Sequence, residues 1–253
     1  MKQQIAKNGF IKIANFFSND EINSMINDIQ IVGSFIGDDF SFIGPDPYKD
    51  NNTIKQSQLY DQLKYLPSLY KIASSDKVLN LARELGCGFP AIMKSCNMRI
   101  DKPNNMKHLF DWHQDSLYLL GSYYALTFWI PMTPVNANNG SVEVIPGTHL
   151  SGIYPYEKIS DKSIDKMTYL LQRDVKIKDM SSELEEQKVL IDANVGDVIV
   201  FYQMLLHRST PNISNQTRWT AQIRISDLLD KSYYEQGCPM GEVTNIYYTD
   251  YKK

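Results

Sequence analysis

The sequence predicts a mainly β protein with an N-terminal layer of helices, and three observations lead there. Residues 1–90 hold stretches with helical periodicity and helix-start chemistry. From about Ala91 the texture changes to short apolar or alternating runs: AIMKSCNMRI, SYYALTFWIPM, SVEVI, KVLIDA, DVIVFYQ and TRWTAQIRIS. Between them sit PNN, NANNG, PGT and NVGD, all of which are turn chemistry. Helices followed by a run of strands imply a β core flanked by helices. A double-stranded β-helix of the jelly-roll or cupin-like kind fits, and the pattern alone equally allows another β-sandwich. With no internal repeat or low-complexity linker, the chain reads as one domain over 1–253. Its parts are a helical layer over about 1–90, a β core over about 91–228 and a C-terminal extension over 229–253.

In chain order, Gly9 to Phe17 reads as a short strand. Ser18 and Glu21 have capping-box spacing, and Ile22, Met25, Ile26 and Ile29 then recur at helical intervals. Gly33 to Asn52, rich in Gly, Asp and Pro, reads as an irregular loop. Ser75 ahead of KVLNLAREL, with Gly86 behind, predicts a second helix with an N-cap and a glycine stop. The segment Ser151 to Gln187 interrupts the strand pattern with mixed charges. Together with 33–52 it is expected to cover the mouth of the barrel and select the substrate.

Composition narrows the function. The net charge of −3 and the scattered lysines argue against a surface built to grip nucleic acid phosphates. No stretch approaches the roughly 18 apolar residues of a membrane helix, and the N-terminus lacks the apolar core of a signal peptide. Three cysteines, an odd number without metal-type spacing, argue against a disulfide framework. A cytoplasmic protein is therefore expected, and the chain carries no signal for a particular oligomeric state.

In DWHQDSLYL, His113 and Asp115 are separated by one residue, so on extended chain both leave the same face. An imidazole and a carboxylate side by side suit two adjacent metal positions. A second histidine would complete a 2-His-1-carboxylate triad with open positions opposite. Among four histidines, His207 has the best context, between the strand DVIVFYQ and a Thr210-Pro211-Asn212 turn. Arg218 lies eleven residues beyond it. If its strand folds back beside that of His207, its guanidinium sits one cosubstrate length from the metal, suited to a carboxylate. Thr220 shares that face.

The segments WHQD, FWIPMTPVNANNGSVEVIPGTH and GDVIVFYQMLLHRSTPNISNQTR together resemble the phytanoyl-CoA dioxygenase family of Fe(II)/2-oxoglutarate oxygenases. The resemblance runs from about Trp112 to Arg224. It implies that His113, Asp115 and His207 bind Fe(II) and that Arg218 binds 2-oxoglutarate, with O₂ as oxidant. It also implies that Thr127 and Trp129 line the cosubstrate pocket, with Asn97 as a further polar contact. His149 matches a turn position that is not a ligand. Related iron halogenases replace the carboxylate ligand with a small residue. Asp115 is retained here, which favours hydroxylation, desaturation or ring closure.

Some residues keep two readings. Arg224 shares a face with Arg218, Thr220 and Gln222, whereas Trp219, Ala221, Ile223 and Ile225 take the other. Arg224 is either a contact for an anionic substrate or a structural residue, in a buried ion pair or at a water-filled mouth. Arg99 is either a second anion contact or a solvated strand end, and Tyr118 flanks the substrate or packs in the core. The C-terminal tyrosines, Tyr233 and Tyr234 among them, pack on the body or on a partner. The leading expectation is an oxygenase hydroxylating a small, anionic metabolite such as an amino acid, sugar derivative or natural-product intermediate. Its competitors are a metal-dependent isomerase or hydrolase on a similar barrel, which would not need Arg218, and a non-catalytic binding module.

Overall fold

The computed structural model describes residues 1–49, 52–94, 96–106, 109–117, 119–158, 175–178, 180–235, 237 and 241–242. The N-terminal layer holds α1 (Lys2–Asn8), α2 (Asn19–Ile36), α3 (Thr53–Leu63), α4 (Pro67–Ala73) and α5 (Asp76–Glu84). The capping box at α2 forms as expected: Glu21 N–H donates to Ser18 Oγ (3.2 Å) and Ser18 N–H to Glu21 Oε2 (2.8 Å). Ser75 caps α5, and Gly86, at φ 117°, ends that segment in a conformation that favours glycine. Two expectations are corrected. The strand at Gly9–Phe17 shortens to Phe10–Ile13, and the loop expected at 33–52 gives its first residues to α2. Within α2, position 33 requires glycine, because the Phe40 ring packs where a side chain would sit, 2.5 Å from a built Cβ.

Nine strands place the site: β1 (Phe10–Ile13), β2 (Pro90–Ile92), β3 (Asn97–Asp101), β4 (Leu126–Pro131), β5 (Val142–Val144), β6 (Val189–Leu190), β7 (Val198–Tyr202), β8 (His207–Ser209) and β9 (Arg218–Asp227). The larger sheet runs β1-β7-β4-β9-β2, with β3 also on β9, and every pairing is antiparallel. The smaller sheet runs β8-β5-β6. These sheets form a double-stranded β-helix, one of the two architectures that the strand pattern allowed.

Alternation along the strands divides the interior. Phe128, Ile130, Val198, Val200, Trp219, Ala221, Ile223 and Ile225 bury against the helices, on Ile22, Met25, Ile29, Leu59, Leu69 and Val78. Trp129, Ile199 and Phe201 point the other way and pack with Val142, Val144, Ile191 and Leu205 of the opposing side. The long insertion is described only in part: Tyr156–Lys158 pairs with Val175–Ile177, and a short helix spans Ser182–Glu185. Its role as a lid, like Tyr118 and the tyrosines beyond residue 242, lies outside the described residues. Tyr233 is buried and packs on the body, whereas Tyr234, in ring contact with it, is exposed.

Candidate active site

His113 and His207 meet as a backbone bridge. His113 N–H donates to the His207 carbonyl (3.0 Å) and His207 N–H to that of His113 (3.1 Å). His207 opens β8 in the smaller sheet, whereas Asp115 starts a 3₁₀ turn over Asp115–Leu117. The His-x-Asp pair therefore arises where a bridge passes into a turn, not on a regular strand. Gln114 between them is fully buried and holds the turn, donating to the carbonyls of Gly152 (2.9 Å) and Met204 (2.6 Å) and accepting from Tyr154 N–H (2.9 Å).

The three side chains converge. Asp115 Oδ1 lies 3.8 Å from His113 Nε2 and 3.7 Å from His207 Nε2, and the ligand atoms of all three lie within 4.8 Å of one another. Each imidazole is oriented from behind. Nδ1 of His113 lies 2.7 Å from the Asp111 carbonyl and Nδ1 of His207 2.9 Å from that of Leu205. A carbonyl only accepts, so each Nδ1 carries the proton and each Nε2 presents a lone pair inward. Asp115 is oriented likewise: Thr127 Oγ1 donates to Oδ2 at 3.0 Å and Arg224 Nη2 stands 3.6 Å from the same oxygen, leaving Oδ1 to face the histidines. Burial, and then the neighbouring His207, push His113 down to about 3. Burial also lowers His207. Burial alone would raise Asp115, but Arg224 and the two histidines outweigh it and hold its carboxyl below the ordinary range. Two neutral imidazoles and one carboxylate are the ligand forms a metal requires. With three protein ligands the shell stays open, as in a 2-His-1-carboxylate facial triad.

The cavity in front of the triad lies between the two sheets, lined by Arg99, Trp129, Val142, Phe201, Arg218 and Arg224. Arg218 lines it from the larger sheet, so the expectation that its strand lies beside that of His207 is corrected. β9 pairs with β3 and β4, and Arg218 faces the triad across the interior. Only 2 % exposed, it donates Nη2 to Asp101 Oδ2 at 2.7 Å, its cross-strand partner. Its Nε and Nη1, with the hydroxyl of Thr220, are buried and hydrogen-bonded to nothing among the described residues. Buried donors left unmade are costly and mark a place where a ligand is expected. Gly140 belongs to the same arrangement. At φ 79°, a side chain there would lie 2.6 Å from the Thr210 carbonyl and 2.9 Å from Arg218 Nη1.

The remaining expectations divide. Trp129 lines the cavity and also belongs to the apolar cluster between the sheets. Thr127, expected on the cosubstrate wall, donates its hydroxyl to Asp115 and so supports the carboxylate. Asn97 is half-buried on β3 opposite Gln222, with an unpartnered Oδ1 among the described residues. Arg99 is no solvated strand end: it lines the cavity, lies 4.7 Å from the Phe110 ring centre and donates Nη2 (2.6 Å) and Nε (3.1 Å) to Asp101. Burial would raise the Asp101 carboxyl, but Arg218 and Arg99 hold it far below its usual value. His149 stays apart from the triad, at 3.0 Å from the Ala6 carbonyl. Asp101, Gln114 and Gly140 are site residues that sequence reasoning misses. Of these Asp101 carries a usable signal, since it shares by alternation the face of Asn97 and Arg99.

Fold and site together define a β-helix protein with a mononuclear, open 2-His-1-carboxylate metal centre. The chain belongs to the phytanoyl-CoA dioxygenase (PhyH) family, whose model matches residues 5–220. A 1-deoxypentalenic acid 11-beta-hydroxylase of Streptomyces exfoliatus is 28% identical over 102 residues, 40% of this chain and 34% of the relative, so the match spans about a third of that protein. Among solved structures, the non-heme monooxygenase ThoJ superposes with a TM-score of 0.64 at 18% identity, covering 89% of this chain and 76% of that one. The epimerase SnoN, solved with Fe³⁺, alpha ketoglutarate and nogalamycin RO, gives 0.62 at 14%, covering 89% and 82%. At these identities the likeness establishes the fold. The expectation of a cytoplasmic protein is corrected: the matched human and mouse relatives are peroxisomal phytanoyl-CoA dioxygenases. Charge, cysteine count and a polar N-terminus do not encode a compartment. Among the described residues no helix is long and apolar enough to cross a membrane.

Proposed function

We propose that this chain is an Fe(II)- and 2-oxoglutarate-dependent oxygenase that hydroxylates a small organic molecule, using O₂ and releasing succinate and CO₂. The observation that carries this reading is the pairing, on one cavity, of the open triad His113, Asp115 and His207 with the unsatisfied donors of Arg218 and Thr220. The three ligands would hold Fe(II). Arg218, with Thr220 beside it, would take the distal carboxylate of 2-oxoglutarate through Nε and Nη1, the donors Asp101 leaves open. With its cosubstrate and O₂, the bound metal supplies the oxidising chemistry. The chain's own residues bind, orient and exclude water. Asp101 holds Arg218 in place, Thr127 and Arg224 hold Asp115, and Trp129, Phe201 and Phe110 wall the cavity. The whole chain 1–253 is read as one such domain, with a small-molecule substrate and, on its net charge of −3, no nucleic acid partner.

A second outcome at the same centre has specific support, because the fold is shared with an epimerase as well as a monooxygenase. The test is anaerobic loading with Fe(II) and 2-oxoglutarate, read by the visible charge-transfer band of the chelate, followed by O₂ and product analysis. A band with succinate release and gain of one oxygen by the substrate supports hydroxylation. Succinate with no mass change indicates epimerisation. A protein that binds iron but gives no band rules out the oxygenase reading and favours a metal-dependent isomerase or hydrolase.

A further inference from the structure

The two histidine ligands meet on bridged, extended backbone, so their immediate neighbours in sequence point the opposite way. Of the described residues, His113 and His207 line the cavity, and Trp112, Gln114, Leu206 and Arg208 do not. All four turn onto the stems of the insertion between β5 and β6, residues 152–158 on the way out and 175–178 with 180–187 on the way back. Gln114 takes the outgoing stem. Fully buried, its NH₂ donates to the Gly152 carbonyl (2.9 Å) and to that of Met204 (2.6 Å), and its Oε1 accepts from Tyr154 N–H (2.9 Å). Arg208 takes the returning stem. Its Nη1 donates to Glu185 Oε1 (2.9 Å) in the short helix Ser182–Glu185, and its guanidinium lies 4.5 Å from the Trp112 ring centre. Beneath this clamp, Trp112 and Leu206 share one apolar cluster with Ile177 of the returning stem, and Tyr154 and Leu184 pack on it. The stems are joined to each other by the pairing of Tyr156–Lys158 with Val175–Ile177.

Both ligand-bearing segments are therefore held from behind by the insertion. When the stems part from the body, the Gln114 amide loses its bonds to Gly152 and Tyr154, and buried polar groups without partners are unfavourable. The turn that fixes His113 relative to Asp115 then loses its support. A metal that pins the three ligands stabilises the same turn from the cavity side. Two events that stabilise one turn are linked, and the linkage is reciprocal. We propose that Gln114 and Arg208 are positioning residues that couple metal binding to docking of the insertion stems. Docked stems raise the affinity of the triad for metal, and bound metal holds the stems in place. This rests on the triad as a metal centre and is independent of the reaction that follows. The segment expected to cover the mouth of the barrel thus stands on a base that the metal completes.

The test treats the full chain with a chelator and titrates it with Mn(II). Free Mn(II) is read by electron paramagnetic resonance, and backbone amide exchange by mass spectrometry. Mn(II) is expected to slow exchange severalfold in peptides spanning 152–158 and 180–187, and to leave α5, in the helical layer, at its metal-free rate. Equal slowing in α5 means ordinary global stabilisation and overturns the proposal, as does unchanged exchange in the stems. Gln114→Leu, close in shape and unable to hydrogen-bond, should raise the Kd for Mn(II) roughly tenfold. The double variant Leu184→Ala, Glu185→Ala alters only the returning stem and should raise it about threefold. A merely structural Gln114 would lower the unfolding midpoint of the metal-free chain and leave the Kd of the folded chain where it was, which overturns the proposal. If Gln114→Leu does not fold, the stem variant decides alone, and an unchanged Kd there overturns the coupling. A wild-type chain that binds no Mn(II) overturns the metal-centre reading itself, whereas one that binds Mn(II) without protecting its stems overturns this inference only.

Discussion

The two faces of β9 are made for different purposes, though they alternate residue by residue along one strand. Toward the helices stand Trp219, Ala221, Ile223 and Ile225, all fully or almost fully buried. The polar atom on that face is satisfied: Trp219 Nε1 donates to the Phe42 carbonyl at 2.9 Å while its ring stacks on Phe42 at 4.9 Å. Toward the cavity stand Arg218, Thr220, Gln222 and Arg224. Burial there is just as deep for Arg218 and Thr220, yet Nε and Nη1 of Arg218 and the Thr220 hydroxyl have no hydrogen-bond partner among the described residues. The helix face contributes stability, and the cavity face is a cost the folded chain bears until a ligand arrives.

That contrast is open to direct attack. The largest effect is expected on the cavity side at the metal: His207→Ala should abolish the chelate band and succinate release while the chain remains folded, checked by circular dichroism. Trp219→Ala, on the helix face, should cost about 3–5 kcal/mol of unfolding free energy in a denaturant titration. Arg218→Ala should do the reverse, raising the dissociation constant for 2-oxoglutarate roughly 100-fold with little change in unfolding midpoint.

Acid should separate the faces as well. His113 and His207 have folded-state pKa values lowered by burial, His113 to about 3 from an ordinary 6.5. Their stabilising contribution is fully present above the unfolded value and is lost as pH falls through it toward the folded value. The metal-free chain should therefore lose up to about 1.4 kcal/mol per pH unit for each histidine below pH ~6.5, and His113→Phe should flatten the slope. The smallest effect is expected for Thr220→Val. It removes an unpartnered hydroxyl at nearly constant shape, so stability should hold or rise by less than about 1 kcal/mol while 2-oxoglutarate affinity falls a few-fold.

Much of this contrast is legible in the amino-acid sequence. Period two along TRWTAQIRIS separates the two faces without knowledge of a neighbour, and the capping chemistry at Ser18 and Ser75 locates two helix starts. The helices α3 and α4 are not legible in the same way. In α3 the buried positions reduce to Leu59 and Leu63, and α4 is a seven-residue element started by Pro67, too short for periodicity to register. The triad is legible because His113 and Asp115 are near neighbours in sequence and the chain has so few other histidines. Arg218 is legible by its spacing from His207, although that spacing suggests a neighbouring strand and the fold supplies a facing one.

The sequence by itself determined the local features: which side chains share a face, where helices begin, which residue types can ligate a metal, and the family motif that orders them. Tertiary structure alone decided the partners. It set Arg218 across the interior from His207 instead of beside it, placed Asp101 under two arginines, turned Thr127 onto Asp115 and brought Gly140 against the Arg218 guanidinium. Alternation and capping act within a few residues and are written in the chain. Contacts such as 101 with 218, or 113 with 207, depend on strand order and on which sheet each strand joins, and no local period encodes those.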